Sequence, residues 1–257
     1  MRNLEKNLYE LEVMGFTVVE DVISSQEVRN IKENLKIVLD NDEKKYKGKP
    51  GKQNFFVADL TSYGSAFYSV LDNDIMHKIY SEFLSDTCIL YTYCSTILRP
   101  NEEVPPNKIH MDTPRFIPNY SYAIQMTIAL DDFTEESGAT YFLPGSHKSE
   151  MVPSEETFNK YAVSTARRAG GACFFNARTY HRATINKSDK IRYGVSTYAV
   201  RSFMKQRFDF PRMIPPEYLE NVSERVKRFL GFDVRLPSSQ DEFYVPEEKR
   251  LYKANQG

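Results

Sequence analysis

Apolar residues at Leu4, Leu8 and Leu11 repeat at the spacing of one helix face, and Phe16-Thr17-Val18-Val19 then reads as a short strand. Ser24-Ser25-Gln26-Glu27 has the form of a capping box. It stands ahead of Val28, Ile31, Leu35 and Val38, which predict an amphipathic helix of about four turns. Asp40 to Lys52 is charged and carries Gly48, Pro50 and Gly51, the composition of a mobile loop. A further helix is expected over Asp74–Leu84, with Ile75, Ile79 and Phe83 on its buried side.

From Cys88 the pattern changes. Ile89–Leu98 is rich in Tyr, Thr and Ile, and Tyr120–Leu130 is a second such run. Shorter strand-like segments follow at Thr140–Leu143, Ala172–Phe175, His181–Ile185 and Ile191–Val200, separated by Gly, Pro, Asn and Ser turns. Pro216–Leu230 returns to a helical pattern. Many short strands with turn punctuation predict a mostly β sandwich or jelly roll rather than βαβ units. One domain is expected over 1–257, with a β core of about 88–203, a helical part at 1–87, and a C-terminal helix and tail at 204–257.

Composition narrows the function classes. The 34 basic and 35 acidic residues nearly cancel, and no basic stripe or basic amphipathic helix points to nucleic acid or a membrane surface. The three cysteines (Cys88, Cys94, Cys173) form no CxxC pair, which suits reduced thiols in a cytoplasmic compartment. Met1 to Lys6 leads into charged sequence rather than an apolar stretch, so no signal peptide is expected, and no apolar run has transmembrane length. No nucleic-acid or membrane partner is expected, and oligomeric state is left open.

Only four histidines occur, so their placement carries information. His110-Met111-Asp112 is a His-x-Asp, and in extended chain its two side chains share a face about 6.5–7 Å apart, a span one divalent cation can bridge. His181, in Tyr180-His181-Arg182, is the candidate third ligand. Two histidines and one carboxylate with positions left open suit a non-haem iron(II) oxygenase; zinc accepts the same donors. Arg192 lies on the following strand and offers a permanently charged fork for the far carboxylate of a chelating dicarboxylate. By period-2 alternation Gly194, Ser196 and Tyr198 share its face. Gly194 leaves space beside the guanidinium, and Ser196 or Tyr198 offers a hydroxyl.

His110-Met111-Asp112, the string Ile128-Ala129-Leu130-Asp131-Asp132-Phe133-Thr134-Glu135-Glu136-Ser137-Gly138-Ala139-Thr140, Leu143-Pro144-Gly145-Ser146-His147-Lys148, Tyr180-His181-Arg182 and Arg192 together resemble the phytanoyl-CoA dioxygenase family of 2-oxoglutarate-dependent oxygenases. The likeness spans about residues 94–205. It implies a double-stranded β-helix with flanking helices, iron(II) held by His110, Asp112 and His181, and Arg192 on the distal carboxylate of 2-oxoglutarate, with O2 as co-reactant. Asp112 implies a hydroxylase rather than a halogenase, since the halogenases of this family lack that carboxylate. The sequence departs from the family pattern at Thr127, where tryptophan is common, and at Gly170-Gly171 and Asn176. A cupin-like isomerase or hydrolase that does not use 2-oxoglutarate is the alternative.

Within Tyr120–Leu130, Gln125 and Thr127 share a small, polar face with Ala123 and Ala129, as a barrel wall around a ligand cavity would present. Thr127 and Ser196 are expected beside the cosubstrate. Gln125, Arg115 and Arg178 are candidates for substrate, the two arginines for an anionic one. His77, His147 and Cys173 are expected to be structural.

Overall fold

In the computed structural model, residues 4–256 are described. Helix α1 (Leu4–Met14) leads into β1 (Phe16–Val19), and α2 (Ser25–Tyr46) starts at Ser24, whose side chain and that of Glu27 close the expected capping box. The helix runs 22 residues, past the expected end and through half of the presumed loop. Asp42, within this extension, is buried and pairs with Lys52 at 2.7 Å. After short α3 (Tyr68–Leu71), α4 spans Asp74–Leu84 as expected. Its fully buried side is Met76, Ile79, Tyr80 and Leu84, so the face is rotated from the predicted one and Ile75 and Phe83 are only partly covered.

The strands are β2 (Ile89–Leu98), β3 (Ala123–Ala129), β4 (Thr140–Phe142), β5 (Val163–Ser164), β6 (Ala172–Asn176), β7 (His181–Ala183) and β8 (Arg192–Val200), with α5 (Glu155–Tyr161) before β5. They form two antiparallel sheets, one ordered β1-β6-β3-β8-β2 and one ordered β5-β4-β7. Beyond β8 come α6 (Phe210–Met213) and α7 (Glu224–Phe229). The predicted Pro216–Leu230 helix is broken: a single 3-10 turn at Pro216–Tyr218 precedes α7, which is newly capped by Ser223. Helices cover more of the chain than strands do, so "mostly β" describes the site and not the whole; the architecture is antiparallel sheets with a thick helical layer.

That layer explains the larger sheet's two faces. Leu90, Ile124, Met126, Ile128, Phe174, Val195 and Ala199 point to one side and pack with Ile31, Leu35, Met76, Ile79, Tyr80 and Phe229 in the main core. Period-2 alternation turns their neighbours to the opposite side. Across β2, β8, β3 and β6 the registered rows there are Cys94, Ser196, Thr127 and Cys173, and next to it Tyr198, Gln125 and Phe175. These residues line a cavity of about 390 Å³. The smaller sheet closes over one end of it, with Phe142 of β4 against Phe16 and Phe175 at ring-centroid distances of 5.1 and 4.8 Å.

The outer edge of β2 is not bare. Ser95 and Ile97 donate to the carbonyls of Val57 and Phe55, Val57 donates to the Ser95 hydroxyl, and Leu60 donates to Tyr93. The chain after α2 thus lies along the sheet edge as an irregular strip. It carries Gln53, Phe55 and Phe56 to the cavity mouth.

Candidate metal centre

His110 and His181 face each other as an isolated antiparallel bridge between the segment after β2 and the start of β7. Asp112 is turned by a bend and fixed through its own amide, which donates to Ala177 at 2.9 Å. The 110–112 segment is therefore not a strand, yet both side chains reach the same point. One ligand atom from each of His110, Asp112 and His181 lies within 4.8 Å of the others. The His110 and His181 Nε2 atoms are 3.7 and 3.6 Å from the Asp112 carboxylate oxygens.

Both imidazoles are oriented by the backbone. His110 Nδ1 lies 2.8 Å from the Lys108 carbonyl, and His181 Nδ1 lies 2.9 Å from the Thr179 carbonyl. A carbonyl only accepts, so each Nδ1 carries the proton and each Nε2 presents a lone pair to the cluster. His181 stacks on Phe142 (5.0 Å, 18° between planes) and tilts against Phe175. Burial lowers its pKa, His110 adds to that effect, and Asp112 opposes it; the neutral, ligating form is favoured. The Gln125 amide donates to Asp112 Oδ2, a bond only the –NH2 end can make to a carboxylate. Gln125 thus lines the cavity as predicted, but its amide orients the Asp112 carboxylate.

At the other end of the cavity Arg192 begins β8, 4% exposed. Its guanidinium stacks on Phe133 with Cζ 3.8 Å from the ring centroid, and Nη1 donates to the Gly138 carbonyl. Sequence reasoning missed Arg167. It is equally buried, stacks on the same ring at 4.4 Å, and donates to the Thr165 and Thr127 carbonyls at 2.9 and 3.0 Å. The Nε atom of each arginine is buried without a partner. Burial, reinforced by Arg167, pushes Arg192 down to about 9. Among the described residues Asp112 is the only carboxylate lining the cavity. Two desolvated cations without a buried counter-ion are costly unless an anion joins them. Gly194 makes this possible: a Cβ there would stand 2.6 Å from Thr96 Oγ1 and 2.9 Å from Phe133 Cζ. The space beside Arg192 therefore holds the Phe133 ring.

Thr127 Oγ1 donates to Ser196 Oγ at 3.2 Å, and both line the cavity between the two ends. The two predicted substrate arginines do not. Arg115 is exposed outside the cavity. Arg178 is buried, and its three nitrogens go to the carbonyls of Pro114 (2.6 Å), Ser149 (2.9 Å) and His147 (3.5 Å), so it clamps the Asp112 loop from behind. A guanidinium only three residues from a ligand reads as a cavity residue in sequence, but the turn at Ala177-Arg178-Thr179 sends it to the opposite side. His77 and His147 bond to the Leu71 and Glu12 carbonyls, and burial lifts the Cys173 thiol to about 11, in keeping with structural roles.

The donor set fits an iron(II) centre: two neutral imidazoles and one carboxylate converge, and a cationic recess stands in the same cavity for a dicarboxylate. No helix among the described residues is long and apolar enough to cross a membrane. The profile of the phytanoyl-CoA dioxygenase (PhyH) family matches residues 11–194. The uncharacterized protein Rv1501 of Mycobacterium tuberculosis is 28% identical over 256 residues, covering 96% of this chain and 93% of its own. The Fe(II)/2-oxoglutarate-dependent dioxygenase nvfF of Aspergillus novofumigatus is 25% identical over 170 residues, 63% of this chain and 56% of its own. Among solved structures, the non-heme alpha ketoglutarate dependent carbocyclase SnoK from nogalamycin biosynthesis shares the fold. Its TM-score is 0.61 at 21% identity, over 76% of this chain and 83% of that one. The chain belongs to the phytanoyl-CoA dioxygenase family and is an oxygenase that depends on iron(II), 2-oxoglutarate and O2.

Proposed function

We propose that this protein hydroxylates, or otherwise oxidises, an unactivated C–H bond of a small-molecule metabolite, with His110, Asp112 and His181 as the iron ligands. One observation carries the reading. A single cavity has three converging candidate metal donors at one wall and two buried guanidiniums at the other, with no carboxylate but Asp112 among the described residues that line it. When bound, iron(II) and 2-oxoglutarate would supply the oxidation, in which O2, 2-oxoglutarate and the substrate C–H bond become succinate, CO2 and hydroxylated substrate, one oxygen atom going to succinate and one to the substrate.

The chain's own residues do the positioning. The Lys108 and Thr179 carbonyls hold the Nδ1 protons of His110 and His181, keeping both Nε2 lone pairs turned inward. Gln125 occupies one carboxylate oxygen of Asp112 and fixes its rotamer. Arg192, on its Phe133 platform, receives the distal carboxylate of 2-oxoglutarate, with Arg167 adding charge from the same ring and Thr127 and Ser196 offering hydroxyls. Phe142 and Phe175 exclude water from His181. The two facing sheets are read as the two halves of a double-stranded β-helix, in one domain with its helical layer.

The test is succinate release from 2-oxoglutarate by iron(II)-loaded protein. His110→Ala and Asp112→Ala are each expected to abolish it, and undiminished turnover in both variants overturns the assignment.

A further inference from the structure

Charge in the cavity does not close with the cofactors alone. Iron(II), ionised Asp112 and the 2-oxoglutarate dianion together carry one negative charge, and either buried arginine balances it. Among the described residues Asp112 is the only acid lining the cavity, and Arg207, exposed at its mouth, is a further cation there that the cofactors do not use. Arg207 stands on the far side from Arg192. Its amide donates to Tyr91 at 3.1 Å, which pins it to the point where the β2–β8 register skips between Leu90 and Thr92. Among the described residues its side chain makes no ion pair and no hydrogen bond, yet it lines the cavity. Its field reaches Cys94, whose thiol is also within reach of Asp112: burial lifts that thiol to about 12, Arg207 pulls it down and Asp112 pushes it up. Arg207 thus lines the same cavity as His110, Asp112 and His181.

Around Arg207 the mouth is aromatic. Tyr91 packs on Tyr198 with centroids 4.8 Å apart, and Phe55 and Phe56 stand together at 4.9 Å on the strip along the edge of β2. All four line the cavity and none is fully exposed. Such walls offer rigid apolar area to a flat or extended body, and a guanidinium beside them offers a two-point grip on an oxyanion.

We propose that the substrate carries an oxyanion, carboxylate or phosphate, on an apolar body, with Arg207 as its anchor and Tyr91, Phe55 and Phe56 as the wall on which the body lies. This rests on the reading of the site as an iron(II) and 2-oxoglutarate centre. The anionic preference once attached to Arg115 and Arg178 thus passes to a residue that sequence spacing did not single out.

The test uses protein saturated with Mn(II), a redox-inert stand-in for iron, and with 2-oxoglutarate. Hydrocinnamate, hydrocinnamamide and phenethyl phosphate are the probes, followed by ligand-observed NMR and calorimetry. Hydrocinnamate or the phosphate is expected to bind at least about tenfold more tightly than the neutral amide, roughly the worth of one charge-assisted contact. The stronger of the two identifies the oxyanion. Arg207→Gln is expected to remove the preference and Arg207→Lys to keep part of it, with melting temperatures unchanged because the residue is exposed. Equal binding of acid and amide overturns the proposal. So does the absence of binding by both anions, displacement of the anions by added 2-oxoglutarate, or an undiminished preference in Arg207→Gln. Failure of wild-type protein to bind 2-oxoglutarate, read in the same titration before any probe is added, counts instead against the reading on which the proposal rests.

Discussion

The amide of His110 donates to the carbonyl of His181 at 3.0 Å, and the amide of His181 returns the bond to His110 at 2.8 Å. Two members of the candidate metal cluster, far apart in sequence, are thereby set in register by their own backbones. Side-chain packing then has to place only the rings, and the aromatic neighbours Phe142 and Phe175 do so for His181.

Gln125 is expected to act on metal affinity. Gln125→Leu keeps the volume but leaves Asp112 Oδ2 without its donor, and loss of such an outer partner typically weakens metal binding about 10–100-fold. Titration of Mn(II) by electron paramagnetic resonance measures this. A variant that binds as tightly as wild type shows that the carboxylate is held some other way.

The two arginines on Phe133 are expected to differ in degree. Arg192→Lys loses the planar fork and should raise the KM for 2-oxoglutarate by about tenfold or more, since Arg-to-Lys exchange at a bidentate site is not conservative. Arg167→Met should raise it less, because Arg167 already gives two donors to the Thr165 and Thr127 carbonyls. Calorimetry with succinate on metal-free protein gives the same ranking without turnover. Unaltered KM in both variants moves the dicarboxylate elsewhere.

Gly194→Ala tests the platform. The added methyl meets Thr96, Phe133 and the Ile128 carbonyl at 3.0 Å or less, so the ring must move. Overpacking of this kind costs about 1–3 kcal/mol, to be read from chemical denaturation. The KM for 2-oxoglutarate should rise with it, while Mn(II) affinity stays near wild type because the His110, Asp112 and His181 cluster lies at the opposite end.

Arg178→Met is expected to destabilise without changing probe preference. The Pro114 and Ser149 carbonyls lose their donor, at roughly 1 kcal/mol for each hydrogen bond because both residues keep access to water. Denaturant midpoints measure the loss. A selective change in anionic ligand binding with full stability would return Arg178 to the substrate side.

Acid should weaken the metal-free fold through His77 and His147. Burial lowers both below the ordinary value of 6.5, so between the folded and unfolded values the unfolded chain binds more protons. Their contribution is complete above about 6.5 and is lost as pH falls through the folded values. Melting temperature against pH should therefore be level above neutrality and decline below it, and His77→Gln should shallow the decline. A melting temperature that rises on acidification contradicts this sign.

The convergence of His110, Asp112 and His181 and the placing of Arg192 in the same cavity were legible because polar residues recur there at strand spacing or within a string that folding alone does not require. Arg167 was not. It meets Phe133 only through an isolated bridge between loop segments, and nothing in local periodicity announces such a pairing. Arg178 misled for the complementary reason, since three residues of turn reverse the direction of a side chain while leaving it adjacent in sequence. The length of α2 escaped because its last turns carry Asp, Asn, Glu and Lys, which read as loop by charge although Glu and Lys are good helix formers. The cavity-facing row of β3, by contrast, followed directly from alternation.

The strip from Phe55 to Leu60 is tied to β2 by a handful of main-chain bonds and contributes no ligand to the metal. Main-chain pairing is nearly indifferent to side-chain identity, so the aromatic lip can be rewritten residue by residue while the iron frame behind it stays intact. A lineage built this way can try new molecules without relearning its reaction.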